Sequence, residues 1–154
     1  MIECEQAADP VWLAAFDGSA LPNPGRIGLG AVLCAPDGRR FEISEPARQN
    51  GCNNEAELLA LCTLLELANE LGAERLCIRS DSDVAVRYVL GQASTQVVQL
   101  LPLIARAQQL ARGFARFELR WVPQHRNREA DALARKALGL PARPSEGTRK
   151  RRKG

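Results

Sequence analysis

No apolar run in this 154-residue chain approaches the roughly 18–20 residues that a membrane-spanning helix requires. The opening Met1-Ile2-Glu3-Cys4-Glu5 has neither a basic start nor an apolar stretch, so no export signal is expected. The five cysteines, Cys4, Cys34, Cys52, Cys62 and Cys77, are odd in number and form no C-x-x-C pair. Neither a zinc site nor a disulfide framework fits that usage. Cys34, Cys62 and Cys77 lie in apolar stretches, where a free thiol acts as a small core hydrophobe, and a reducing cytoplasm is the expected setting. Histidine is nearly missing as well: His125 stands alone.

What is present describes one ordinary globular domain with an appendage. Hydrophobic residues make up 45% of the chain and charged residues 25%, enough for a proper core. The net charge of +3 is unevenly placed. From Arg143 to Gly154 six basic residues face one acid, so that segment carries +5 and the body carries −2. The domain is expected over residues 1–141. Residues 142–154, rich in Pro, Arg and Lys without apolar periodicity, are expected to be a structureless basic tail. Such a tail is either a solvated end or a tether for a polyanion.

Local patterns predict the order β-β-β-α-β-α-α-β-α. Trp12 to Phe16 is an apolar run that should end as a strand at Asp17. Gly28 to Cys34 is a second strand, with glycines where another backbone approaches closely. Pro36-Asp37-Gly38 is a turn signal, and Arg40 to Ser44 alternates as a third strand. Asn54 to Leu71 reads as a helix capped by Gly72, with leucines around most of its circumference, hence buried against a sheet and other helices. Arg75 to Ser80 is a fourth strand. Helices follow over Asp83–Leu90 and roughly Val97–Arg112, then a strand over Phe117–Val122. A last helix is expected from an Asn127 cap to Leu138. Trp12 and Trp121, within strands, are expected in the core. Three meandering strands followed by βαβ crossovers make an α/β fold with a five-stranded mixed sheet.

Four acids then claim notice, each near the end of a different element: Asp17, Glu57, Asp81 and Asp131. Any of them alone could be an ordinary turn or first-turn acid. Strand-end carboxylates at a switch in strand order meet where open α/β sheets place their sites. Four together would repel one another and raise one another's pKa unless cations were present, which is the logic of an oxygen-ligand site for a hard divalent ion. Glu55 and Glu129 compete with Glu57 and Asp131. Residues two apart on a helix point to different faces, so only one of each pair can serve. Asp83 is read as an N-terminal helix acid.

With those residues in order, the chain resembles the type 1 ribonucleases H. The carriers are Asp17-Gly18-Ser19 with Asn23-Pro24-Gly25 and Gly28-x-Gly30, Asn53-Asn54-x-x-Glu57-Leu58, Ser80-Asp81-Ser82, and Asn127-x-x-Ala130-Asp131-x-Leu133-Ala134, spread over about residues 12–139. The resemblance implies the RNase H-like fold and endonucleolytic hydrolysis of the RNA strand of RNA/DNA hybrids, largely without sequence preference. It implies two Mg²⁺ ions, with Mn²⁺ as substitute, held by Asp17, Glu57, Asp81 and Asp131, one activating water and one stabilising the leaving 3′ oxygen. Gly18, Ser19, Asn23, Asn53 and Asn54 are the implied contacts to the hybrid's minor groove, where the ribose 2′-OH marks RNA. The family spacing also selects Glu57 over Glu55 and Asp131 over Glu129.

His125 matches the family's mobile histidine, in a loop shortened so that only Arg126 separates it from Asn127. It is either an auxiliary catalytic residue or an incidental loop position. The chain departs from other members twice. Asp81 to Trp121 contains no basic, aromatic-rich insertion, and Asn50 and Cys52 stand where relatives often carry Arg and Thr. It is thus a short-loop variant, expected to be a monomer, whose Arg149–Lys153 run is available to grip phosphates. Two other readings stay open: a non-catalytic hybrid- or duplex-binding module, and a metal nuclease acting on double-stranded RNA or a DNA junction.

Overall fold

A computed structural model describes residues 10–144. Five strands form one sheet in the order β3-β2-β1-β4-β5. They are β1 (Trp12–Leu21), β2 (Arg26–Cys34), β3 (Arg40–Pro46), β4 (Arg75–Ser80) and β5 (Arg116–Trp121). The first three pair antiparallel as a meander, whereas β4 runs parallel to β1 and β5 parallel to β4. The helices are α1 (Asn53–Glu70), α2 (Asp83–Val89), α3 (Leu101–Ala111) and α4 (Arg128–Ala137), with a 3-10 turn over Gln124–Arg126. Both the α/β class and the mixed sheet agree with the sequence reading.

The sheet is covered on both sides. Strand β2 is buried from Ile27 to Leu33, as a strand walled on two faces must be. Gly18 lies opposite Leu29 in the pairing, and Asp17 opposite Gly30. Since alternate residues face alternate sides, Gly18 and Gly30 look towards opposite faces. A Cβ on Gly18 would collide with the Ala56 carbonyl of α1, and one on Gly30 with the Ala130 carbonyl of α4. Glycine at these two positions lets one helix settle on each face. Between α1 and the sheet lie Phe16, Leu58, Leu61, Leu64, Leu65 and Ile78, all fully buried. Helix α1 also packs against α3, which explains its all-round leucines.

Several boundaries differ from the sequence reading. Strand β1 does not stop at Asp17 but runs through it to Leu21, because the small residues Gly18 to Ala20 keep pairing with β2 after the apolar run ends. Helix α3 starts at Leu101 rather than Val97, with Pro102 confined to its first turn, where a missing N–H costs nothing. Val98 before it is largely exposed. Trp12 is buried and stacked on Phe41 at 6.4 Å, as expected. Trp121 is not a core residue: it is 52% exposed, because it is the last residue of the edge strand. Cys34, Cys52 and Cys62 are free thiols, whereas Cys77 is disulfide-bonded, a pairing that no cysteine spacing announced. Among the described residues no helix is long and apolar enough to cross a membrane. The basic run Arg149–Lys153 lies outside the described residues.

Candidate metal centre

Pairing between β1 and β4 stops at Ala15 opposite Arg79, while β1 continues beside β2. A gap therefore opens at the carboxyl end of β4. Asp17 sits in β1 two residues past that last pair, and Asp81 is the first residue after β4. Glu57 enters from the second turn of α1. Ligand oxygens of Asp17, Glu57 and Asp81 all lie within 4.8 Å of one another. Three elements far apart in sequence thus deliver one carboxylate each to one point, as the sequence reading expected.

Asp131 is placed differently. It is buried in the first half of α4 and acts on Asp17 by charge and hydrogen bonding, yet it is not one of the three converging residues. Its carboxylate accepts from Arg143 Nε, at 3.3 Å to Oδ1 and 3.1 Å to Oδ2. The expected quartet is therefore a cluster of three with a fourth acid at its side, already paired with a cation.

Burial and crowding show in the titration of the cluster. Loss of hydration, followed by the charge of Asp81, pushes the Asp17 carboxyl up to about 8. Burial, then the charge of Asp17, holds Glu57 well above the usual carboxylate range, against the pull of a hydrogen bond from Gly18 N to Glu57 Oε2 at 3.1 Å. Without a cation Asp17 and Glu57 keep protons that ordinary carboxylates lose. Clustered oxygen donors of this kind suit a hard divalent ion.

Neutral donors fix the geometry. Asn127, expected to cap α4, makes no side-chain cap bond and is 1% exposed. Its Nδ2 instead donates to Phe16 O and to Asp81 Oδ1, both at 2.9 Å, joining β1 to the loop after β4 from the start of α4. Trp121 Nε1 donates to Asp81 O at 3.2 Å. The role of Asn127 was hidden because asparagine before a helix has the same sequence signature whether it caps or reaches inward.

The competitors separate cleanly. Glu55 Oε1 accepts from Cys52 N at 3.2 Å and closes the start of α1. Glu129 is paired with Arg40 at 2.8 Å on the surface, and Asp83 with Arg87 at 3.6 Å.

The residues expected to contact substrate lie around the junction of β1 and α1. Asn53 Oδ1 accepts from Ala20 N at 2.9 Å, and Asn23 Oδ1 accepts from Asn53 N at 3.0 Å. The two amide oxygens tie the start of α1 to the end of β1 and to the turn that follows it. Asn54 is half-buried one residue further along α1, and Ser19 is half-buried in β1. Gly18 N is spent on Glu57. His125 is exposed in the 3-10 turn and lines, with Asp131 and Arg143, a cleft of about 470 Å³.

Comparison with known proteins agrees with this geometry. Residues 15–137 match the family model described as reverse transcriptase-like. The ribonuclease HI of Halobacterium salinarum is 34% identical over 125 residues, which is 81% of this chain and 63% of that protein. The crystal structure of RNase H1 from the same organism superposes with a TM-score of 0.79, covering 84% of this chain and 98% of that one. The chain belongs to the type 1 ribonuclease H family. A bifunctional protein of Mycobacterium tuberculosis is 36% identical over 127 residues, 82% of this chain, and the chain spans only about a third (35%) of that relative's length. Another ribonuclease H structure, LC11-RNase H1 in complex with an RNA/DNA hybrid, has a TM-score of 0.75 at 25% identity, covering 83% of this chain and 96% of that one.

Proposed function

We propose that the chain is an endonuclease hydrolysing the RNA strand of RNA/DNA hybrids with little regard to sequence. The observation that carries this reading is the convergence of Asp17, Glu57 and Asp81 within 4.8 Å at the opening between β1 and β4. A pure binding module gains nothing from buried negative charge facing phosphates, and membership of the ribonuclease H family supports the nuclease. Asp17, Glu57 and Asp81 would hold one divalent ion, and Asp131 with Asp17 a second, Mg²⁺ or Mn²⁺ by the hardness of the donors. When bound, such ions supply the charge that offsets the phosphate and the acidity that activates water.

The protein's own groups do the rest. Asn127 and Gly18 hold Asp81 and Glu57 in place. The amide groups of Asn23, Asn53 and Asn54, with Ser19 and the backbone around Gly18, are the reading's contacts for the 2′-OH and phosphates. His125, on the cleft beside Asp131, is assigned an auxiliary part in proton transfer or product release. Residues 1–141 are taken as the catalytic domain and 142–154 as a basic tail that adds salt-dependent grip. We take the protein to act as a monomer in the cytoplasm. Light scattering after size exclusion checks the monomer.

One assay tests the activity: labelled RNA/DNA hybrid, RNA duplex and DNA duplex, each with Mg²⁺, Mn²⁺ or EDTA. Cleavage of RNA in the hybrid alone, abolished by EDTA, is expected. Asp81→Asn should lower the rate by about 100-fold or more, beyond the 10–100-fold typical of groups that merely support metal ligands. Survival of the hybrid RNA in both metals, or an unchanged rate in Asp81→Asn, would overturn the reading.

A further inference from the structure

Arg143 lies just past the domain boundary, in a segment whose composition suggested only a basic tail. The chain there is not loose. After α4, Leu140 N donates to Arg135 O at 2.9 Å, and Arg135 Nε donates to Pro141 O at 2.8 Å. Two residues beyond that anchor, Arg143 Nε straddles both oxygens of Asp131. Two residues reach at most about 7 Å, so the Arg143 backbone stays near that anchor and its guanidinium stays within a side chain's reach of Asp131. The Asp131 side chain is 8% exposed and that of Arg143 46%. A nearly buried acid is therefore covered by a cation that itself remains open to water.

We propose that Arg143 is a tethered cation occupying Asp131, which a divalent ion must displace before it can use that carboxylate. The inference rests on the metal reading of the site. Its physical basis is competition between two positive ligands for one acid. A guanidinium engaging through Nε alone makes a weaker contact than the two-pronged fork arginine can offer, and a half-exposed pair is partly screened. The tether compensates by keeping the competitor at high effective concentration. The lock is weak enough to yield to metal and strong enough to be measured. The displaced guanidinium has somewhere to go: the adjoining cleft, walled by Gln124, His125, Arg128 and Pro144, has room for it. The site would then fill in order, the three-carboxylate cluster first and the Asp131 side second.

Binding of Mn²⁺ to the full chain without nucleic acid tests this, with free Mn²⁺ counted by electron paramagnetic resonance. The unaltered protein should show a tighter and a weaker site. Arg143→Gln should tighten the weaker site about five-fold, equivalent to about 1 kcal/mol, and leave the tighter one within two-fold. Arg143→Lys should fall between. Arg128→Gln, which removes the same charge from another residue lining the cleft, should move neither site by more than two-fold. An unchanged weaker site in Arg143→Gln, a weakened one, or an equal gain in Arg128→Gln overturns the proposal while leaving the nuclease reading intact. Absence of Mn²⁺ binding in every form sinks both. The Nε–H signal of Arg143 in a nitrogen-15 spectrum gives a second readout, independent of any variant. Titration with Mg²⁺ should carry it to the position of a free guanidinium over the range in which the weaker site fills, and a stationary signal rejects displacement.

Discussion

The two sides of the carboxylate site are held by opposite means. On the β1–β4–α1 side, Glu57 and Asp81 receive hydrogen bonds from Gly18 N and Asn127 Nδ2, groups that carry no net charge. On the α4 side, Asp131 meets a guanidinium. Neutral donors fix position and leave the charge uncompensated, while burial first and the neighbouring acid's charge second hold the protons of Asp17 and Glu57 well above the usual range. An ionic partner fixes position and supplies an opposite charge at once. The same residue type is thus left hungry for a cation on one side and provisionally supplied with one on the other.

The largest effect should come from exchanging acids across that divide. Asp17→Asn should abolish tight metal binding and lower hybrid cleavage by about 100-fold or more, whereas Asp131→Asn should spare the tighter metal site. Equal loss of metal in the two variants, measured calorimetrically, would erase the distinction between the sides. Next is Asn127→Ala, which strips a neutral donor from Asp81. Activity and metal affinity should each fall roughly 10–100-fold, and Asn127→Asp should not restore them, because it replaces the donor with another acceptor. Retained metal affinity in Asn127→Ala would mean that Asn127 serves packing alone.

A third prediction concerns pH. The Asp17 carboxyl titrates near 3.8 in an unfolded chain and near 8 in the fold. The folded state therefore binds this proton more tightly, and the stability it contributes is fully present below about 3.8 and lost as pH rises towards 8. In the metal-free protein the melting temperature should fall over that window by roughly 10 °C from this group. Asp17→Asn or added Mg²⁺ should flatten the slope. A slope unchanged by both would show that the cluster is not the source. The smallest effect is reserved for His125→Ala, expected to slow turnover by no more than about ten-fold, less than the 10²–10⁴ of a full general acid–base group. A larger loss would promote His125 from auxiliary to essential.

Much of this site was legible because the signals were local. Asp81 follows an apolar run, Glu57 follows a helix start, and Gly28 and Gly30 mark a backbone approach that α4 in fact makes. The order of elements followed from apolar periodicity, which burial imposes directly. What escaped depended on contacts across the fold. Asn127 looked like a cap, since nothing local distinguishes an amide facing its own helix from one reaching two strands. Trp121 looked like core because alternation does not reveal that its strand lies at the sheet's edge. Arg143 sat in a stretch whose composition promised only charge, yet one hydrogen bond to Pro141 is enough to bring it back onto the domain.

The side chain of Asn127 has a consequence for how the protein comes apart. It leaves the start of α4 and grips both β1 and the residue after β4, so the last helix is stitched into the centre of the sheet rather than laid upon it. Peeling α4 away would remove Asp131 and slacken Asp81 in the same event. Trimming the chain from its C-terminal side into α4 should therefore not give a graded series of weaker nucleases. Function should persist until trimming loosens α4, at the latest when Asp131 itself is removed, and then vanish in one step, with fraying of the helix and loss of the site reported by the same slow-exchanging amides.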